Sequence, residues 1–484
     1  MDLTNFYGSP AVPVLRGDAG PPPGNSVSEG HVKRAAVRRL YGDERMTVAA
    51  SQDEALAGAA IASEDARPMR RVWLQIAHTS GARVYSLVAG LLVLTITARW
   101  LGPAGRGQMA AALVWANVFY LCSYASLNFV AMHQASISAG DRSWLPPTMG
   151  TLFVFAGGMT LLGWLVAAVL WFSSGGSVFG AISPPVLVIA LLTVPFLILE
   201  QYANGLLLGI GRLDVYNRAL IVAKTVVLLL VGVFFYFRFG IASAVTATLI
   251  GQIGISMAGI PLVFRAAGRT MRFDGALLGR MLKRGLQLHP SNAAMFLYAY
   301  SSVLLINRYL GAAQTGFYHL AMQLIDVMLV LPYAANLVLF SKASTVGGEK
   351  MWPFQRRILV SMLALMTAGC LVAAIAAPFA IPLLAGKAFA PSVRIFRWLL
   401  IVGWVGTISA VMMPQWISRG YFGAISAVNV GAMILNLAAG FLLVKPLGIN
   451  GILIATILGY STTAVASVVL AVRCELEYRR GLAA

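Results

Sequence analysis

Charge is what this chain has least of. Only 11% of its 484 residues are Asp, Glu, Lys or Arg, against about 25% in a soluble globular protein. Acid is the scarcer sign, with 17 Asp and Glu against 36 Lys and Arg. Cysteine is nearly absent too. Cys122, Cys370 and Cys474 lie far apart, which excludes a disulfide framework or a cysteine metal site. His78, His133, His289 and His319 show no ligand spacing. No Gly-rich loop ending in Lys-Ser or Lys-Thr is present, which argues against direct ATP hydrolysis. The membrane part shows no clustered carboxylates and no sizeable outer loop of the kind a membrane-embedded sugar transferase or polymerase needs, so the expectation is a protein that is not an enzyme.

What the chain has is apolar length. At 59% hydrophobic no soluble core could hide its apolar surface, and many runs reach the roughly 20 residues that cross a bilayer. In lipid the backbone must satisfy itself, which leaves helices or closed barrels, and the short alternating strands of a barrel are missing. The expected fold is therefore an all-α polytopic membrane protein with about twelve spans, the first at 82–98 and the last at 449–472.

Charge placement gives the order. Residues 1–71 hold nine basic and nine acidic groups and read as a disordered cytoplasmic tail, in which Met46 and Met69 are alternative starts. The excess of +19 lies entirely beyond it, scattered between apolar runs, so no nucleic acid is expected as a partner. With the N-terminus inside, cytoplasmic loops collect fourteen basic residues and the opposite loops eight, Arg106 among the eight. That bias puts both termini in the cytoplasm. The longest basic loop, 265–287, is expected to lie on the anionic inner leaflet. It separates an N-lobe (72–264) from a C-lobe (288–472), with 473–484 as a short tail.

The two halves echo each other. In "ARWLGPAGRGQM" (98–109) and "NRYLGAAQTGFY" (307–318), Arg99, Leu101, Gly102, Ala104 and Gly107 return as Arg308, Leu310, Gly311, Ala313 and Gly316. "FGIASAVTATLIG" (239–251) and "LGINGILIATILG" (447–459) align Gly240, Ala247, Thr248 and Gly251 with Gly448, Ala455, Thr456 and Gly459. Six spans per half bring both halves in from the same side, which implies a parallel repeat about an axis along the membrane normal. Two such lobes facing each other enclose a cleft, and a transporter is the architecture this predicts.

The stretches "ARWLGPAGRGQMAAAL", "NGLLLGIGRLDVYNRALI", "KRGLQLHPSNAAMFLYAYSSVLLINRYLGAAQTGFYHLAMQ" and "LLAGKAFAPSVRIFRWLL" resemble the polysaccharide transporter family. This is the Wzx-type lipid-linked oligosaccharide flippase branch of the multidrug/oligosaccharidyl-lipid/polysaccharide (MOP) exporter superfamily. The resemblance runs from about residue 72 to 475. It implies a MATE-like fold in the bacterial inner membrane whose helices one, two, seven and eight line a cationic cavity. It implies a flippase that moves an undecaprenyl-pyrophosphate-linked oligosaccharide to the outer leaflet for exopolysaccharide or O-antigen synthesis. Polymerase and export machinery are the protein partners it allows. The alternative in the same fold is a cation-coupled multidrug antiporter. No cofactor is expected beyond a coupling proton or sodium ion.

Polar groups inside spans are costly and mark candidate sites. Asp326 and Glu200 are the two intramembrane acids, and Lys224 the clearest cation. Glu200 and Lys224 each lie twelve residues from Arg212, which sets them at similar depth, as a buried ion pair or as a pair that binds a coupling ion or substrate. Asp326 is the candidate for ion coupling, and Asn117 stands 209 positions before it. Arg83, at the cytoplasmic mouth, suits a pyrophosphate. Arg99 and Arg308 would receive the anion at the far side or hold their turns, and Tyr298 and Tyr300 would stack on sugars. His289, before Pro290, is expected to start a helix.

Overall fold

The computed structural model describes residues 43–138 and 141–483, apart from the side chains of 43–80 and a few others, Arg83 among them. Of the tail expected to be disordered, 1–42 therefore lies outside the described residues, and 43–71 is helical backbone. The chain divides between Arg83 and Val84, and the helices able to cross a membrane all lie in the unit from Val84 onward.

Among the described residues ten helices are long and apolar enough for that crossing. The first stretch, Val84–Tyr124, lies within helix α1 (Asp43–Tyr124) and is two crossings, because Gly102 breaks the helix at φ 64° and ψ −176°. Span 1 is 84–101 and span 2 is 103–124. A further helix, α9 (Gly275–Tyr309), carries Arg280, Lys283 and Arg284 in its first three turns and becomes apolar beyond them. Its second half is the expected seventh crossing. Dividing the first stretch and adding α9 gives the expected twelve.

Around these run α2 (Leu127–Ile137), α3 (Leu145–Ser174), α4 (Pro184–Leu191), α5 (Val194–Gly209), α6 (Leu213–Tyr236), α7 (Ile241–Ala258) and α8 (Ile260–Ala266) in the N-lobe. The C-lobe adds α10 (Ala312–Val346), α11 (Gly348–Ala385), α12 (Ser392–Ser418), α13 (Phe422–Leu447) and α14 (Ile449–Ala483). Prolines at the first positions of α3, α4, α5 and α8 start helices where no N–H is needed.

The repeat is visible element by element. The turn glycines Gly102 and Gly311 share a positive φ, 64° and 87°. Gly211 and Gly420, also 209 apart, have φ 71° and 74°. Gly176 and Gly386 precede matching single turns, Ser177–Phe179 and Lys387–Phe389, whose phenylalanines are both buried. Side chains other than glycine rarely adopt these angles, so the glycine pattern seen in the sequence is the mark of one backbone built twice.

Two expectations change. The basic segment 265–287 is not a separate connector throughout. Asp274 accepts a hydrogen bond from Leu277 N (2.9 Å), caps α9, and the helix then runs unbroken through His289 and Pro290. His289 is thus inside a helix rather than at its start, a position for proline that membrane bundles tolerate. The second span, expected to be continuous over 109–131, breaks at Ala125 and Ser126, both left-handed (φ 48° and 54°). Fully buried Tyr202 donates its hydroxyl to the Tyr124 carbonyl freed there (2.8 Å).

The lobes have separate cores that borrow across the seam. Leu94, Ala98 and Val114 of spans 1 and 2 pack into the C-lobe core with Val303, Ile306 and Tyr318. Met281 of α9 belongs to the N-lobe core. The outer surface is apolar, with Phe172 and Phe379 about four-fifths exposed. Only hydrocarbon can cover such a belt.

Candidate functional site

The two copies of the repeated turn meet. A Cβ on Gly107 would overlap the Ala312 carbonyl, and one on Gly316 would overlap the Pro103 carbonyl. Spans 2 and 8 (the latter within α10) therefore cross backbone to backbone, and only glycine fits at the crossing. Each lobe then reaches over. Arg99, at the end of span 1, donates its Nε to the Leu384 carbonyl (3.1 Å) and a second N–H to the Leu383 carbonyl, tying down the last turn of α11. Asn307, at the end of span 7, accepts from Ala181 N (3.0 Å) in the N-lobe. Exposed Arg308 follows it, its Cα against Gly180. Arg99 thus ties span 1 to the end of α11 in the other lobe rather than bonding its own turn.

Immediately before the crossing stands Arg106, which is 4% exposed. Its Nη2 donates to Gln323 Oε1 (2.8 Å), its Nη1 lies 3.4 Å from Met109 Sδ, and its Nε is buried without a partner. Gln323 lies seven residues beyond Gly316 along α10, about 10 Å at 1.5 Å per residue. The guanidinium is therefore carried inward along the seam from the Gly102 turn. His319, Gln323 and Asp326 recur at i, i+4 and i+7 on one face of α10. His319 Nδ1 is buried without a partner, and Asp326 is 7% exposed. Half-buried Asn117 bonds the Leu113 carbonyl of its own helix (2.8 Å).

At the other end, span 2 closes on α9. Ser126 Oγ lies 3.1 Å from His289 Nδ1 and accepts from Asn292 (3.1 Å). A Cβ on Gly285 would press on the Ala125 carbonyl and Leu127.

The remaining candidates lie elsewhere. Glu200 is buried in the N-lobe, where its carboxylate accepts from Tyr216 (2.8 Å) and Gln252 (2.5 Å). No ion pair joins it to half-buried Lys224 among the described residues, so the expected pair gives way to neutral donors. Tyr298 packs on Tyr460 (4.4 Å) and against Gly459, and Tyr300 packs on Phe296 (4.6 Å). The side chain of Arg83 lies outside the described residues. Sequence reasoning does not single out Arg106, Gln323 or His319 as site residues. It counts Arg106 to a loop, although the repeat equivalent, Thr315, is fully buried.

Two six-helix lobes crossing at a glycine seam define a membrane transporter fold. The chain belongs to the polysaccharide biosynthesis protein family, which matches residues 72–340. Solved structures share the fold. Lipid II flippase MurJ in an inward closed conformation has a TM-score of 0.65 at 14% identity, over 82% of this chain and 87% of that one. A multidrug resistance MATE family transporter of the MOP superfamily, inward-facing, has 0.57 at 14% identity, over 82% and 95%. A mutant of the Vibrio cholerae MATE transporter VcmN has 0.50 at 16% identity, over 84% and 98%. No curated protein sequence matches the chain.

Proposed function

We infer that this protein is a flippase that carries a polyprenyl-pyrophosphate-linked oligosaccharide from the cytoplasmic to the outer leaflet of a bacterial inner membrane. The observation that carries the reading is the polysaccharide biosynthesis family match on a two-lobed transporter fold. The end bearing the basic loops is the cytoplasmic one, and the Gly107–Gly316 crossing is then the outer seam. The lobes rock so that this seam and the cytoplasmic end close in turn, the cleft faces one leaflet at a time and the sugar crosses without meeting hydrocarbon. The lipid tail stays in the bilayer. Asp326, the acid nearest the seam on α10, is the candidate for binding a coupling proton or sodium ion.

The likeness to MATE transporters supports a second reading, a cation-coupled drug antiporter. The seam speaks against it. The charge buried there without a bonded carboxylate is a guanidinium, which attracts an anionic cargo and repels an organic cation.

The test is a deletion strain complemented with wild type, Asp326→Asn, Lys224→Ala or Arg83→Ala. Lost surface polymer with lipid-linked repeat units accumulating on the cytoplasmic leaflet, rescued by wild type, is the expected outcome. Normal polymer with altered tolerance to cationic drugs would favour the antiporter.

A further inference from the structure

Arg106 is held in a state that its chemistry does not favour. A guanidinium offers five N–H donors in a planar fork suited to carboxylate and phosphate. Here the hydrogen bond to Gln323 and the weak contact to Met109 are made within a buried seam, and the Nε donor is unmet. No carboxylate bonds Arg106 among the described residues. One turn from Gln323, on the same face, His319 keeps a second buried nitrogen without a partner. The Arg106–Gln323 bond joins the N-lobe to the C-lobe beside the Gly107–Gly316 crossing, so what competes for Arg106 also acts on the seam.

We propose that Arg106 is a phosphate-responsive latch: the anionic phosphate of the cargo takes the guanidinium from Gln323 and thereby loosens the outer seam. This inference rests on the flippase reading. A phosphate oxygen is a stronger, charge-assisted acceptor than a neutral amide. It reaches Arg106 along the face of α10 that carries His319, Gln323 and Asp326, and His319 supplies a further donor when that nitrogen carries its proton. Once Gln323 Oε1 loses its donor, the glycine crossing itself is held by van der Waals contact between backbones, and the Arg99 and Asn307 bonds at the helix ends are the polar ties that remain across the lobes. Loading from the inside thus prepares opening to the outside, and an empty transporter stays shut.

The experiment uses the full chain in lipid nanodiscs with spin labels on Ala104 and Ala313, the exposed repeat-equivalent residues of the two turns. The probe is farnesyl pyrophosphate, with farnesol as the same tail without phosphate. In wild type, pyrophosphate should bind and lengthen the label distance, and farnesol should not lengthen it. Gln323→Ala should show the long distance without ligand and still bind. Arg106→Gln should also relax but bind about tenfold more weakly, a loss of 1.4 kcal/mol. Arg106→Lys, which keeps the charge without the fork, should fall between them and guards against a folding defect in the first variant. Wild-type binding by Arg106→Gln, or a Gln323→Ala seam that stays short, would overturn the latch while leaving the flippase reading standing. Wild type that binds no farnesyl pyrophosphate would sink both.

Discussion

The two lobes have the same skeleton and different interiors. Turn glycines 209 or 210 residues apart share positive φ angles, and Phe179 and Phe389 fill matching pockets. Polar content follows no such rule. Where the N-lobe buries Glu200 with Tyr216 and Gln252, the position 209 residues on is Ser409, bonded to Thr463 (3.1 Å). Where the C-lobe buries Asp326, the N-lobe has half-buried Asn117. Backbone shape is set by steric demands that both copies share, whereas each buried acid, Glu200 and Asp326, has no charged counterpart in the other lobe. In the proposed flippase, the shared shape would serve rocking and the unshared charges a one-way cargo path.

The largest effect is expected where the lobes meet. Gly107→Val and Gly316→Val each drive a side chain into a carbonyl of the other lobe, where backbone cannot yield as a side chain does. Overpacking of an ordinary core costs about 1–3 kcal/mol, and the seam should lose at least that. The closed state should be abolished, with polymer export lost and the turn labels far apart. Gly157→Ala, in α3 with open space around it, should be neutral or stabilise by up to about 1 kcal/mol as Ala replaces Gly in a helix. Equal behaviour of Gly107 and Gly157 variants would break the picture of a seam.

Next come the buried polar centres. Glu200→Ala leaves Tyr216 and Gln252 without their acceptor, and one stranded buried donor costs about 1–3 kcal/mol. Ser409→Ala removes an interhelical hydrogen bond of the kind that averages about 0.6 kcal/mol in membranes. Melting in detergent should therefore fall several times further for the N-lobe variant. Similar losses would mean that the carboxylate is no more than a hydroxyl in its effect.

What can be read from the sequence follows the same division. Apolar length and repeated glycines expose the helices, the two lobes and the turn, because those signals are local. The depth of Arg106 is hidden because the apolar run begins only at 109, whereas the helix begins beyond Gly102. Three residues of error move a cation from the seam into water. The Glu200–Lys224 pairing fails for another reason. Counting from the hairpin fixes neither the stagger of the two helices nor the direction around the helix axis. Tyr216 is two turns earlier on α6 than Lys224, and it is the residue that faces the carboxylate. The two tyrosines of α9 are sugar platforms by residue type alone, and their rings rest on Tyr460 and Phe296 instead.

A smaller effect separates the paired glycines Gly251 and Gly459. Gly459 lies under the Tyr298 ring, whose Cε2 would be 2.8 Å from an added Cβ, with Asn436 Cβ at 3.1 Å. Buried Gly251 faces Val227, whose Cγ2 an added Cβ would overlap, with the Ala223 carbonyl at 3.4 Å. Ala at 459 must push an aromatic ring that is itself stacked on Tyr460, so it should cost about 1–2 kcal/mol, within the range for overpacking. Ala at 251 should cost more, because it meets Val227 more closely and a β-branched side chain has little freedom to turn away.

The smallest effect is at the end of the C-lobe opposite the glycine crossing, where Arg419 and Arg473 both bond Glu477. The N-lobe has Ile210 and Gly268 at the equivalent positions, so it has no such tie. Glu477 is 38% exposed and Arg473 63%, and pairs this open contribute about 0.2–1 kcal/mol. Glu477→Gln should thus lower the melting point only slightly in low salt. At about 1 M salt, where screening acts within roughly 3 Å, the difference from wild type should shrink toward the part held by buried Arg419, which also donates to Gln415 (2.9 Å). A difference that ignores salt would show that the tie works through this hydrogen-bonded arginine rather than through charge, and the C-lobe would then be braced by the same neutral chemistry that holds Glu200 in the N-lobe.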